Sequence, residues 1–351
     1  MKDPRKFNLQ CPIPKTEYAH ILMAHGGGGR MTCHLIQELF IAGLGNEILD
    51  MGHDGAFLPP MDGEVAFTTD SFVVDPLFFP GGNIGDLAIN GTVNDLLCCG
   101  ALPLYISLGL ILEEGFLIEE LWIIVQSIGR AAEAAGVKIV TGDTKVVEKG
   151  KGDKIYINTS GIGTIHPGLN INPKHCSKGD VVIINGDIGD HGIAIMSARQ
   201  GLEADIPVIS DTQSLTDMMM SLFRNQTGIH VLRDPTRGGL ASALNEICDS
   251  SGTGIRLHEK NLPINDGVRG ACELMGFDPL YIANEGKILV ILPESEAEEA
   301  LSIMRSFKAG KGSRIIGQVT SDPKGILCLE TTIGTTRIVD MISGEQLPRI
   351  C

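Results

Sequence analysis

Five aspartates stand where an apolar run meets small or turn-forming residues: His53-Asp54-Gly55, Thr69-Asp70-Ser71, Asn94-Asp95, Gly142-Asp143-Thr144 and Arg233-Asp234-Pro235. Carboxylates brought together repel one another unless a cation lies among them. Hard oxygen donors of this kind suit magnesium or calcium, and magnesium typically keeps waters and phosphate oxygens in its shell. Singly, each Asp also suits a turn or a helix N-cap; as a set they suit a metal-bridged phosphate. Glycine runs at Gly26, Gly27, Gly28 and Gly29, at Gly81-Gly82 and at Gly238-Gly239 each precede a helical pattern, and Arg30 and Arg237 lie beside two of them. Backbone N–H groups at such places meet anions. There is no GxxxxGK[ST] and no GxGxxG after a strand, which excludes a Walker A site. His25, His53 and His191 adjoin glycine or Asp and suit structural roles at least as well as catalytic ones. The chain ends on Cys351, and a terminus is normally too frayed to bury a thiol.

The 351 residues include 28 basic and 43 acidic side chains, a formal charge of -15. That excess excludes unaided binding to nucleic acid or anionic membranes, both of which reward Lys and Arg, and a nucleotide ligand would need a cation. An apolar share of 43% with 20% charged residues is that of a folded chain, long enough for two domains. The longest apolar stretch, Ala101 to Leu112, contains Pro103 and stops at Glu113-Glu114. It falls short of the roughly 18 residues of a membrane-spanning helix. The first fifteen residues, MKDPRKFNLQCPIPK, hold no apolar core of a secretory signal, so a cytoplasmic location is expected. Nine cysteines without a CxxC read as reduced, mostly buried thiols.

The elements that must position these groups alternate between strand and helix. An irregular arm over 1–24 leads to the glycine loop and an amphipathic helix from Met31 to Leu44. A strand from Glu64 to Thr69 delivers Asp70, a helix runs from Asp86 to Cys99, and Leu102 to Leu112 is strand-like. A helix from Glu119 to Ala135 stops at Gly136, and Val137 to Thr141 delivers Gly142-Asp143. After a polar stretch ending at Gly179, strands are expected at Val181 to Ile184, Gly228 to Leu232, Lys287 to Leu292 and Arg314 to Val319. The helices there are expected at Gly192 to Gln200, Ser214 to Arg224, Gly238 to Cys248 and Glu294 to Ser306. In open α/β sheets ligands gather beyond the carboxyl ends of strands, so the Asp residues are expected to converge on one crevice. The last eleven residues, MISGEQLPRIC, have no period and read as a mobile tail.

Six segments together resemble the HypE family of hydrogenase maturation proteins, relatives of AIR synthetase and selenophosphate synthetase. They are TTDSFVVDPLFFPGGNIGDLAINGTVNDLLCCGALP (68–103), TGDTKVVEKG (141–150), GDHGIAIMSAR (189–199), LRDPTRGGL (232–240), ANEGK (283–287) and the terminal PRIC (348–351). The resemblance runs in order along nearly the whole chain. It implies a two-domain α/β (α+β) AIR-synthetase-like fold. In it, 1–40 form the arm and glycine-rich loop, 41–170 an ATP-binding domain whose sheet pairs with its twin in a homodimer, 171–340 a second domain, and 341–351 the tail.

The activity so implied is an ATP-dependent carbamoyl dehydratase. A carbamoyltransferase, HypF, places a carbamoyl group on the thiol of Cys351, and ATP then drives its dehydration to a thiocyanate. The cyano group passes through a HypC-HypD complex to the iron of nickel-iron hydrogenase. Carried over by motif, Asp54, Asp70, Asp95 and Asp234 gather Mg2+ and phosphates. Asp143, Asn94, Arg237 and the loop of Gly26, Gly27, Gly28 and Gly29 serve the nucleotide. Lys145 and Glu285 are the candidates for proton transfer at the carboxamide, and Arg349 steers the tail or pairs with phosphate. Leu347-Pro348 restricts the chain before the reactive end, while Gly344 lets the tail swing between an inward and an outward pose. The wider superfamily often has two adjacent Asp where this chain has His53-Asp54, so metal ligation there rests on Asp54 alone. A small-molecule kinase or cycloligase of the same fold would use the same Asp and Gly motifs without Cys351, and a scaffold binding iron or a partner through the terminal thiol would need no ATP.

Overall fold

The computed structural model describes residues 18–200, 208–225, 228–344 and 349–351. The expected restriction at Leu347-Pro348 and most of the expected arm lie outside them. The chain enters through a 3-10 turn, Met23–Gly26, and α1 (Arg30–Leu35), which continues as a π-helical segment, Ile36–Ile41, into the short α2 (Ala42–Leu44). The single amphipathic helix expected over these residues therefore changes its winding midway. An exposed segment then leads to β1 (Val65–Phe72), the ribbon β2 (Phe78–Phe79) and β3 (Gly82–Asn83), and α3 (Ile84–Cys98). The first domain is completed by β4 (Ala101–Glu113), α4 (Ile118–Ala135), β5 (Lys138–Val147) and β6 (Ile155–Ile165).

Its sheet has the order β1-β6-β4-β5, antiparallel except where β4 runs parallel to β5. Alternation along the strands turns Ile106, Leu108, Leu110 and Leu112 of β4 inward against the helices. The other face is open. The pairing register lines up Val65, Thr164 and Leu102 across it, then Phe67, Ile162 and Tyr105, and further on Ser71, Asn158, Gly109 and Asp143. One end of this face is apolar and the other polar.

Helix α3 is capped by Asn83, whose side chain accepts from the Gly85 N–H at 2.8 Å while Asp86 accepts from the Asn83 N–H at 2.9 Å. It is apolar almost all round, and most of its residues are buried. Such a helix must lie between two packed bodies. One is its own sheet. The other is the second domain, and Leu97 of α3 shares one core with Val181, Met219, Phe223 and Val290.

The second domain comprises β7 (Asp180–Ile184), α5 (Asp190–Gln200), α6 (Thr216–Asn225), β8 (Val231–Arg233), α7 (Gly239–Ser251) and β9 (Gly254–His258). These are followed by α8 (Asp266–Met275), β10 (Leu289–Pro293), α9 (Ala297–Arg305), β11 (Arg314–Thr320), β12 (Leu327–Glu330) and β13 (Thr336–Ile338). The sheet order is β13-β12-β9-β11-β7-β10-β8, with only β12 and β9 parallel. Every residue of β7 is buried, which accounts for its unbroken apolar run.

Both sheets are thus largely antiparallel, and the strand-end rule of parallel sheets does not organise the aspartates. Asp70 lies within β1 and Asp143 within β5, because backbone pairing with β6 and β4 continues past each of them. Among the described residues, no helix is long and apolar enough to cross a membrane.

Candidate active site

Strand β1 turns Thr68 and Asp70 toward α3, which presents Asp95. The Thr68 hydroxyl donates to Asp95 Oδ2 at 2.7 Å, and the Asp70 and Asp95 carboxyls are close enough for each to shift the proton affinity of the other. From the second domain, Asp234 emerges just after β8, its Oδ1 4.0 Å from the Cys98 thiol. Burial, then the neighbouring Asp95 charge, pushes Asp70 up to about 6 and Asp234 up to about 7. Burial raises Asp95 as well, although the Thr68 hydrogen bond opposes it.

Glu285 closes the cluster. It is buried, its Oε1 has no hydrogen-bond partner among the described residues, and burial reinforced by Asp211, Asp234 and Asp70 holds its pKa well above the ordinary carboxylate value. A buried ion pair sets its backbone. Lys287 Nζ lies 2.9 Å from Asp211 Oδ2, and Asp211 Oδ1 accepts from the Glu285 N–H at 3.1 Å. Gly286 is required between them, since a Cβ there would stand 1.9 Å from the Asp211 carbonyl oxygen. Asn94 braces the same segment from α3. Its Nδ2 donates to the carbonyls of Glu285 and Gln213 at 3.1 and 3.2 Å, and its Oδ1 accepts from the Leu215 N–H at 3.2 Å. The side chain expected on the nucleotide is therefore tied to backbone groups, as a strut between the domains.

The end of the chain reaches this cluster. The N–H groups of Val73 and Asp75 donate to the carbonyls of Cys351 and Arg349 at 3.2 and 3.3 Å, an antiparallel step that extends β1. Ile350 is 3% exposed and belongs to the main core. The expected mobility of the tail thus gives way to a docked end over Arg349, Ile350 and Cys351. Burial and the Glu285 carboxyl push the Cys351 thiol up to about 12, with Asp70 and Asp234 adding to them and Arg237 opposing. The same Arg237 charge, on an exposed side chain, acts on Asp70 and Glu285, while Arg233 acts on Asp95 and Asp234.

Other expected residues stand elsewhere. Asp54 is on the exposed segment before β1, and the charges acting on Asp70, Asp95 and Asp234 are not its own. Lys145 and Asp143 pair with each other at 2.7 Å on the open face of β5. That is the opposite face from Asp70 and three strand spacings away, roughly 14 Å. Within one chain, Lys145 does not face Cys351. Gly26 packs against Val146 of β5, which sets the glycine loop beside that same strand. Arg349 pairs with Asp153 of the β5–β6 connection. Gly239 starts α7 with φ +60, and a Cβ there would press on the carbonyl of Ile282, so this pair of glycines fixes the entry of α7.

The sequence reading gave His191 a structural role without a partner and passed over Arg199, Asp211 and Lys287. All four act on backbone atoms or on one another, and three of them lie inside quoted motifs, GDHGIAIMSAR and ANEGK. Among the described residues, no three metal-binding side chains are already grouped for an ion. Asp70, Asp95 and Asp234 nonetheless supply three crowded carboxyls whose raised proton affinity a divalent cation would offset, which is the donor chemistry magnesium takes.

Residues 52–165 match the family model of the AIR synthase related protein, N-terminal domain, and residues 177–329 that of its C-terminal domain. The chain is 47% identical over 347 residues to carbamoyl dehydratase HypE of Cupriavidus necator, covering 99% of each. It is similar to the crystal structure of hydrogenase maturation protein HypE in complex with ATP, with TM-score 0.91, 46% identity, and coverage of 94% of this chain and 99% of that one. It is also similar to a chain in the crystal structure of a HypE-HypF complex, with TM-score 0.78, 49% identity, and coverage of 88% and 99%. Matched along nearly its full length, with its terminal cysteine set among the clustered carboxyls, the chain belongs to the HypE carbamoyl dehydratases of the AIR synthase related family.

Proposed function

We propose that this protein dehydrates an S-carboxamide carried on Cys351 to a thiocyanate at the expense of ATP, supplying the cyanide ligand of a nickel-iron hydrogenase. The observation that carries this reading is the inward terminus, with the Cys351 thiol in the field of Glu285, Asp70 and Asp234. An amide oxygen is a poor leaving group. ATP supplies a phosphoryl group to that oxygen, which departs as phosphate with the C–O electron pair while the nitrogen loses both protons and closes the C≡N bond. Asp70, Asp95 and Asp234 would hold Mg2+ against the phosphates, and Arg237 would offset charge on the transferred group. Glu285 takes a nitrogen proton. A carboxyl of raised pKa is a stronger base once ionised, and its unpartnered Oε1 is free to accept.

In the inward pose the thiol is neutral, so it is a poor nucleophile for loading. Loading by a HypF-type carbamoyltransferase belongs to an outward pose, as does delivery to a HypC-HypD-type complex. The open face of the first sheet, with Phe67 67% and Val65 46% exposed, is the surface on which a second copy packs. A twin placed there sets Asp143, Lys145 and the glycine loop near the interface, where they serve the nucleotide. The site of action is the cytoplasm.

Steady-state ATP hydrolysis in the presence of carbamoyl phosphate and the carbamoyltransferase tests the reading. It is expected to fall to background in Cys351→Ala. Persistence of turnover in that variant would hand the site to a diffusible substrate and to the kinase or cycloligase alternative.

A further inference from the structure

All three carbonyls of residues 349–351 are held. The Arg349 carbonyl accepts from the Asp75 N–H at 3.3 Å and from Arg199 Nη2 at 2.9 Å, and the Cys351 carbonyl accepts from the Val73 N–H at 3.2 Å. The Ile350 carbonyl accepts from His191 Nε2 at 2.9 Å. A carbonyl cannot donate, so the proton of the neutral ring sits on Nε2, and Nδ1 accepts from the Ser210 hydroxyl at 2.8 Å. Ser210 Oγ in turn accepts from the Thr212 N–H at 3.2 Å, which orients the hydroxyl. His191 is fully buried, and Phe79 stands edge-on to its ring with centroids 5.6 Å apart.

From these contacts we infer that α5 and the 73–75 segment form a clamp for a C-terminal tripeptide, in which His191 is the positioning residue that sets Cys351 against Glu285. The inference rests on the dehydratase reading above. The clamp reads backbone at all three residues and one side chain, that of Ile350. Arg349 turns its guanidinium out to Asp153, whereas Ile350 is buried in the core. Specificity therefore falls on the penultimate position, which must be apolar, and on the carbonyl spacing of a chain end. Gripping carbonyls rather than sulfur has a chemical use. The group on Sγ can change from carboxamide to cyano with no change in the hold, so the carbon stays in place through both proton losses. Helix α5 carries His191 in its first turn and Arg199 near its end, about 12 Å apart along the axis, a rigid spacer for the two side-chain donors.

The test uses full-length protein with His191→Phe, which removes the donor, His191→Gln, whose amide N–H replaces it, and Ile350→Ala, a change beyond the last strand. The first readout is the rate at which iodoacetamide alkylates Cys351, followed by mass on the C-terminal peptide. Leaving a buried carbonyl unpaired in His191→Phe, or removing buried apolar side chain in Ile350→Ala, weakens the docked pose, so alkylation is expected to speed up roughly tenfold in both, with His191→Gln near the unsubstituted protein. The second readout is the single-turnover loss of water from carbamoylated protein given Mg2+ and ATP. It is expected to slow by a similar factor in the first two variants and to recover in the third. Alkylation rates unchanged in both His191→Phe and Ile350→Ala would overturn the clamp. Faster alkylation with undiminished water loss would overturn the positioning role of His191. If the variants alter alkylation but even the unsubstituted protein loses no water, the clamp stands and the dehydratase reading fails.

Discussion

At the scale of single residues, the proposed chemistry rests on Glu285 and Cys351. Replacing Glu285 by Gln keeps its volume and removes its basicity. The expected result is a single-turnover dehydration rate lower by about 10² to 10⁴, read from the water lost by the C-terminal peptide. The aspartates predict a pH effect with a definite sign. Asp70 and Asp234 have pKa values raised to about 6 and about 7, so below these values they hold protons that a cation must displace. Affinity for Mg2+ with ATP therefore falls as pH drops from 8 to 6, and binding at pH 6 releases protons. Calorimetry in two buffers of different ionisation enthalpy measures the release, which should shrink in Asp234→Asn. Equal release by both proteins would remove Asp234 from the cation site. The carboxylates and the terminal thiol were legible in sequence because each sits in a motif. His191 and Arg199 also lie in a motif, but their partners were not legible, since those are carbonyls more than a hundred residues away and a carbonyl leaves no mark on residue type.

At the scale of elements, what matters is how α3, the 211–215 segment and the 285–287 segment are tied together. The Lys287–Asp211 pair is nearly fully buried, at 6% and 3% exposure. Lys287→Met leaves an uncompensated buried carboxylate and is expected to cost about 3 to 5 kcal/mol in urea unfolding. A loss within a few tenths of a kcal/mol would show that the pair does not brace the site. Element type was readable from apolar periodicity, while element limits were not. Asp70 and Asp143 interrupt the apolar alternation of β1 and β5, but strand pairing is made by the backbone and runs through them. The short apolar runs of β7 and β10 are the same whether their neighbours are parallel or antiparallel, so the antiparallel second sheet was hidden.

For the whole molecule, two faces of one sheet have different duties. The inner face, through Asp70 and α3, meets the second domain and the docked terminus. The outer face carries Phe67, Val65, Leu102 and Ile111 exposed, together with Asp143 and Lys145. The proposed packing of a second copy on this face predicts that Phe67→Asp sediments as a monomer where the unsubstituted protein sediments as a dimer, and that dehydration falls with it. A dimer that survives the substitution would place the contact elsewhere. Two domains were legible from length and motif order. The inward seat of the chain end was not, because it depends on the buried Ile350 finding a core built from both domains.

The central claim is that the cysteine at the chain end carries the substrate of the protein's own ATP-driven dehydration. It is tested most directly by the mass of the C-terminal peptide after incubation with the carbamoyltransferase and carbamoyl phosphate, with and without Mg2+ and ATP. The expected product is a carbamoyl adduct on Cys351 that loses one water only when ATP is hydrolysed. An adduct that keeps its full mass while ATP is consumed, or ATP consumption with Cys351 unmodified, would contradict the claim.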